Sequence, residues 1–353
     1  GEAEPEPTRA GRLACFCPPG VAMAGKRLTG GLAQLASGFA LAVLSQTLAT
    51  SLLPLAGLWL APRPGLMPAP YMAMLIGAAV ATFPASYLLD AFGRRASFAL
   101  GASHGLAGGL MMAWALSAGA FWPFCLGAFW LGVSQGFTLF YRHEAAIGQS
   151  AAERSFAIAL VFGAGALAGI VGPALLLLLE HLSPAARNIG MALGAALAQV
   201  LVLTVAVSSS PVRASLVAES AGELHLPDFI IATVIAAAAW FGMTAQMLAM
   251  PGEMVGCGVT LSGMFGVMAF HVMAMYAPAF AVEPLVKRMG VSSVALWGLL
   301  LILTAKVGSR GANTVIDFAV ALGLIAVGWS LATTAATLWL HQRGSPARLW
   351  LAA

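Results

Sequence analysis

The chain has 353 residues, 60% of them hydrophobic and only 8% charged, with a formal net charge of +4 and a mean hydropathy of +0.90. Soluble domains run about 45–50% apolar and roughly 25% charged, so this composition excludes an ordinary soluble fold and points to a polytopic membrane protein. The small positive excess is spread along the chain, which excludes a nucleic-acid partner of the basic-patch kind. Of the four cysteines, Cys15 and Cys17 form a C-x-C in a polar stretch, while Cys125 and Cys257 lie in apolar runs. That pattern gives neither a disulfide framework nor a metal-ligand set, and no metal is expected.

A bilayer core about 30 Å thick needs roughly 20 helical residues per crossing, and this ruler predicts ten crossings. Residues 1–27 come first, rich in Glu, Pro and Gly near the start and without an apolar run long enough for a signal peptide. They read as a disordered polar tail in which Met23 is placed like a natural start. The first crossing, 31–60, carries Gln46 and Thr47. Crossings at 68–89 and 97–118 flank the turn "DAFGRR", Asp90 to Arg95, and His104 in the second of them reads as an interhelical hydrogen bond. Crossing 121–141 holds Gln135 and ends on "YRHEAA", where Arg142 and Glu144 read as an interfacial salt bridge or as a gating pair. Crossings at 155–178 and 186–207 complete a first set of six.

Residues 208–227 are the longest polar interruption after the tail and read as a linker. Beyond it lie 228–250, with Trp240, Met243 and Gln246, then 258–281, with His271, then 292–309 and 314–340. Residues 342–353 contain no further crossing and read as a tail. The expected organisation is therefore a six-helix bundle at 28–207, a linker at 208–227 and a four-helix bundle at 228–341. Only helices and closed barrels satisfy the backbone in lipid, and these unbroken runs lack the alternation of barrel strands. The fold class is all-α.

Charge sets the orientation. With the N-terminus cytoplasmic, 13 of the 17 basic residues fall on the cytoplasmic side, and only Arg63, Arg187, Lys306 and Arg310 lie opposite. The positive-inside rule then places both termini in the cytoplasm and the chain in the cytoplasmic (inner) membrane. The two halves also echo one another. Pro54 near the end of the first crossing is answered by Pro251 at the end of the seventh, and "DAFGRR" by "PLVKRMG", with Gly290 in the place of Gly93. Parallel repeats of this kind are how many secondary transporters are built, with the solute site between the halves.

The stretch "SYLLDAFGRR" resembles the loop signature of the major facilitator superfamily, Gly-x-x-x-Asp-(Arg/Lys)-x-Gly-Arg-(Arg/Lys). The match falls on Asp90, Gly93, Arg94 and Arg95, and departs at Ser86 and Ala91. "YRHEAA" followed by "ERSFAIALVFGAGALAGIVGP", and "HVMAMYAPAFAVEPLVKRMG" from His271, resemble a poorly characterised bacterial branch of the same superfamily. The resemblance implies a two-bundle fold, here six plus four helices where the superfamily has twelve. It also implies a conformational switch at Asp90, Gly93, Arg94 and Arg95 that latches the halves together and releases as they rock.

Walker and H-E-x-x-H signatures are missing from the sequence, and no enzyme activity and no cofactor are expected. Polar groups inside crossings are expensive and therefore candidates for function. Gln46, Thr47, Gln135, Trp240 and Gln246 are the expected solute pathway, the superfamily resemblance placing crossings one and four on the cavity. His271, Arg142 and Glu144 are the candidates for proton transfer or gating; His271 reads equally as a neutral ring bonded to a backbone carbonyl. The glycines from Gly163 to Gly172 partly resemble an antiporter motif, but read better as close helix packing. The expected function is secondary transport of a small solute, with protons as a candidate coupling ion. The alternative is a non-transporting or truncated scaffold of the same fold. The expected partners are the lipid bilayer and a small-molecule solute, and no oligomer is required.

Overall fold

In a computed structural model of the chain, residues 20–147, 149, 151–179, 181–209 and 226–341 are described. The expected tail ends at 27, but helix α1 (Gly20–Leu60) already begins inside it; residues 1–19, most of the expected linker, and 342–353 lie outside the described residues. There follow α2 (Ala69–Ala118), α3 (Phe121–Thr138), α4 (Tyr141–Ala146), α5 (Ala151–Gly163), α6 (Ala168–Leu179) and α7 (Pro184–Ser208). The second half holds α8 (Leu226–Gly256), α9 (Leu261–Tyr276), α10 (Ala279–Met289), α11 (Val291–Gly308) and α12 (Val315–His341).

Eight helical stretches are long and apolar enough to cross a membrane, and the bent pair α9–α10, turned by 41°, makes a ninth. One of the eight, Pro64–Ala118, is 55 residues long, more than twice what a bilayer needs. It is two crossings. The helix breaks at Gly93, whose φ of 79° and ψ of 172° belong to neither helix nor strand. The described residues therefore make ten crossings, as the apolar runs predict.

Tertiary packing follows from small residues. The first arm of α2 lies so close to α3 that a Cβ on Gly132 would stand 1.9 Å from the Met74 carbonyl oxygen, and one on Gly77 2.2 Å from that of Phe129. Polar side chains tie other helices: Ser45 donates to the Ala195 carbonyl at 2.8 Å, joining α1 to α7, and Ser134 donates to Gln199 at 3.2 Å, joining α3 to α7. In hydrocarbon such close contact and hydrogen bonding carry helix association, because lipid is as apolar as the helices. Between the halves, α6 packs on α9 and α5 on α10. Gly169 is the contact point, a Cβ there falling 2.5 Å from Met273 Cγ, so the glycine run of the fifth crossing does serve packing. His104 departs from its expected role: its Nδ1 lies 2.8 Å from the Leu100 carbonyl of its own helix, and its ring stacks on Trp130. The carbonyl four residues back satisfies that nitrogen within its own helix.

Candidate functional site

A chain of aromatic rings crosses from one half to the other. Phe39 of α1 meets Tyr276 of α9 edge-on at 5.6 Å, Phe162 of α5 meets Tyr276 at 5.1 Å, and both Phe162 and Tyr276 reach Trp329 of α12. Trp240 of α8 closes the chain, T-shaped against Trp329 at 5.1 Å and 89°. Edge-to-face pairs of this kind contribute about 0.5–1.5 kcal/mol each beyond their burial, enough to hold two bundles in register without locking them.

Two cavities flank the rings. The larger, about 330 Å³, lies between the first arm of α2, α3–α4, α8 and α12, and its wall includes Thr82, Gln135, Arg142, His143, Thr233, Trp240 and Thr337. That is the lower end of the size range of ligand sites. The smaller, about 40 Å³, is lined by Gln46, Thr47, Tyr71, Gln135, Trp240, His271 and Tyr276, with five methionines. Leu75, Gln135 and Trp240 belong to both walls, so the two spaces adjoin.

The structure thus brings Gln46, Thr47, Gln135 and Trp240 together. Thr47 spends its hydroxyl on the Val43 carbonyl at 2.8 Å, whereas the Gln135 Oε1 is buried without a partner. Gln246 is placed elsewhere: it lines neither cavity, and its Oε1 accepts from Lys306 Nζ at 2.6 Å. A lysine near the end of an apolar helix needs such an acceptor, and that demand takes the glutamine away from the pathway. His271, fully buried, places Nδ1 2.9 Å from the Leu322 carbonyl of α12, the bonding its alternative reading expects.

"YRHEAA" is a buried turn of helix, α4, and not an interfacial end, with Arg142, His143 and Glu144 all under a tenth exposed. Its two charges part company. The Arg142 guanidinium lies over the Phe162 ring at 5.7 Å and acts on Tyr276. The Glu144 carboxyl instead feels the charges of Arg94 and Asp90. Arg94 itself lies along α1, 3.2 Å from where a Cβ on Gly31 would stand, while Arg95 points outward and is exposed. Asp90 and Arg94, which flank the broken turn at Gly93, thus both act electrostatically on Glu144.

Sequence reasoning missed the contact that joins the halves at this end. His143 Nδ1 and His341 Nε2 stand 3.1 Å apart, across 198 residues of sequence, and Arg154 donates to the His341 carbonyl at 2.5 Å. Nothing in the local pattern around either histidine announces the pairing. Among the described residues no group of three or more metal-ligating side chains assembles.

Ten crossings in two bundles around a part-polar internal cavity define a transporter scaffold. The riboflavin transporter RfnT of Brucella anthropi is 31% identical over 316 residues, covering 87% of this chain and 79% of that protein. Among solved structures, the proton:xylose symporter XylE of E. coli superposes with a TM-score of 0.68 at 11% identity, over 90% of this chain and 82% of that one. The human organic anion transporter MFSD10 gives 0.64 at 16% identity, over 94% and 88%. No family model matches the chain. The chain belongs to the major facilitator superfamily and is a secondary transporter of a small solute, not an enzyme.

Proposed function

We propose that this chain carries riboflavin or a close flavin across the cytoplasmic membrane, with both termini in the cytoplasm. The observation that carries the reading is the likeness to RfnT over four-fifths of that protein's length, on a chain whose cavity wall offers Trp240 to a flat ring. Gln46, Thr47, Gln135 and Trp240 line the solute path. The halves, 28–207 and 228–341, rock about the aromatic chain, joined by a linker at 208–227. Asp90, Gly93, Arg94 and Arg95 form the switch, and a few kcal/mol of bias there is enough to shift a two-state equilibrium.

Protons enter at Glu144. Glu144 is a buried carboxyl on which an opposite charge, Arg94, and a like charge, Asp90, both act, so its proton responds to how those two move. Arg142, with two buried guanidinium nitrogens lacking partners, is the group that changes neighbours as the cavity opens. The test is uptake of labelled riboflavin into proteoliposomes holding the full chain, with and without an inward proton gradient. Saturable uptake that unlabelled riboflavin competes away is the expected result. Absence of saturable riboflavin uptake overturns the flavin reading, and uptake indifferent to the gradient overturns proton coupling.

A further inference from the structure

His271 carries information that its role as a proton candidate does not use. Its Nδ1 faces the Leu322 carbonyl oxygen at 2.9 Å, and a carbonyl can only accept, so Nδ1 bears the hydrogen. The residue is wholly buried, with no carboxylate among its partners, and a second ring proton there would be an unpaired buried charge. The ring is therefore neutral, and Nε2 is a bare lone pair. That lone pair has no hydrogen-bond partner, in a residue that lines the inner cavity. A buried acceptor left unmatched is costly and is rarely left so without a reason.

The surroundings differ from one end of the path to the other. Around His271 the wall carries rings and methionines, Tyr276, Trp240, Met243 and Met268, beside the amides of Gln46 and Gln135. The adjoining larger cavity has no methionine and sets the hydroxyls of Thr82, Thr233 and Thr337 and the Arg142 guanidinium among alanines. A solute with a flat ring and a polyhydroxy chain matches this gradient when the ring enters first. The methionines, unbranched and adaptable, are what must move to admit it.

We propose that His271 Nε2 accepts a hydrogen bond from a ring imide N–H of the solute and sets specificity for solutes that carry this donor. The proposal rests on the flavin reading above and names the contact that selects the ring. It is tested by fluorescence titration of the full chain with riboflavin and with 3-methylriboflavin, whose imide nitrogen has no hydrogen. Two variants separate the ring nitrogens. His271→Asn keeps a donor for the Leu322 carbonyl and has no atom at the Nε2 position, whereas His271→Gln reaches that position with an amide oxygen.

The native chain is expected to bind riboflavin about tenfold tighter than the methylated analogue, the order expected of one hydrogen bond to an otherwise unmatched group. His271→Asn loses that preference and His271→Gln retains it to within about threefold. Equal affinity of the native chain for both flavins overturns the proposal and leaves the flavin reading standing. So does native affinity in His271→Asn, and so does equal loss in both variants at unchanged melting temperature, which would make ring shape the determinant. Failure of the native chain to bind riboflavin at all overturns both readings together.

Discussion

Gly93 and Gly290 hold the same unusual backbone conformation, φ 79° with ψ 172° and φ 83° with ψ 156°, a region essentially closed to residues with a Cβ. Each ends the second helix of its half and starts the third, so the weak echo between "DAFGRR" and "PLVKRMG" is a repeat of backbone geometry. Gly93→Ala is expected to cost roughly 1–3 kcal/mol, seen as a lower melting temperature in detergent, with Gly290→Ala losing a similar amount. An unchanged melt in either would show that the turn relaxes freely. Beside Gly93, Glu144→Gln removes the carboxyl on which the proposed proton coupling rests and keeps its shape. Uptake in that variant should persist but lose its dependence on pH, and retained dependence would move the coupling group elsewhere. The turn was legible because its residue types are rare in so apolar a chain. Glu144 as a group acting with it was not, since it lies 54 residues beyond Asp90 and only the folded packing of α4 against α2, where Tyr141 stacks on Phe98, closes that gap.

The helices themselves were almost fully readable, because crossing length is set by the bilayer and not by detail of sequence. Predicted limits such as 292–309 and 314–340 lie within a residue of Val291–Gly308 and Val315–His341. The fourth crossing misleads, since Arg142 and Glu144 look like residues that stop a helix at the interface, and the chain instead folds them in as α4. How tightly helices approach is equally hidden. Gly132 and Gly252 both lie inside long helices, yet a Cβ on the first strikes the α2 backbone and one on the second meets nothing within 4 Å. Gly132→Ala should therefore push α3 off α2 and lower the melting temperature sharply, because backbone is what it strikes. Gly252→Ala should be neutral or stabilise by up to about 1 kcal/mol, the helix-propensity difference. Equal melts for the two variants would mean that the α2–α3 contact is looser than its geometry.

At the scale of the molecule, one residue of the second half, His341, is held twice by the first, through the His143 ring and the Arg154 guanidinium. A hydrogen bond contributes about 1 kcal/mol net, so deleting one shifts an open–closed equilibrium about fivefold. With the four native cysteines replaced and Ala236→Cys placed on the cavity wall, thiol labelling should accelerate by that order in His143→Ala. Unaltered labelling would assign the pair to stability alone. Such cross-half contacts were beyond the sequence, since periodicity speaks of each helix and not of which partner it meets. Trp240 has one more consequence. An indole on the wall of both cavities, edge-on to a second indole at 5.1 Å, is a built-in optical probe at the gate. A conjugated solute arriving against it would take up its excitation, so, with the other eight tryptophans replaced, the remaining emission would report whether the carrier is loaded.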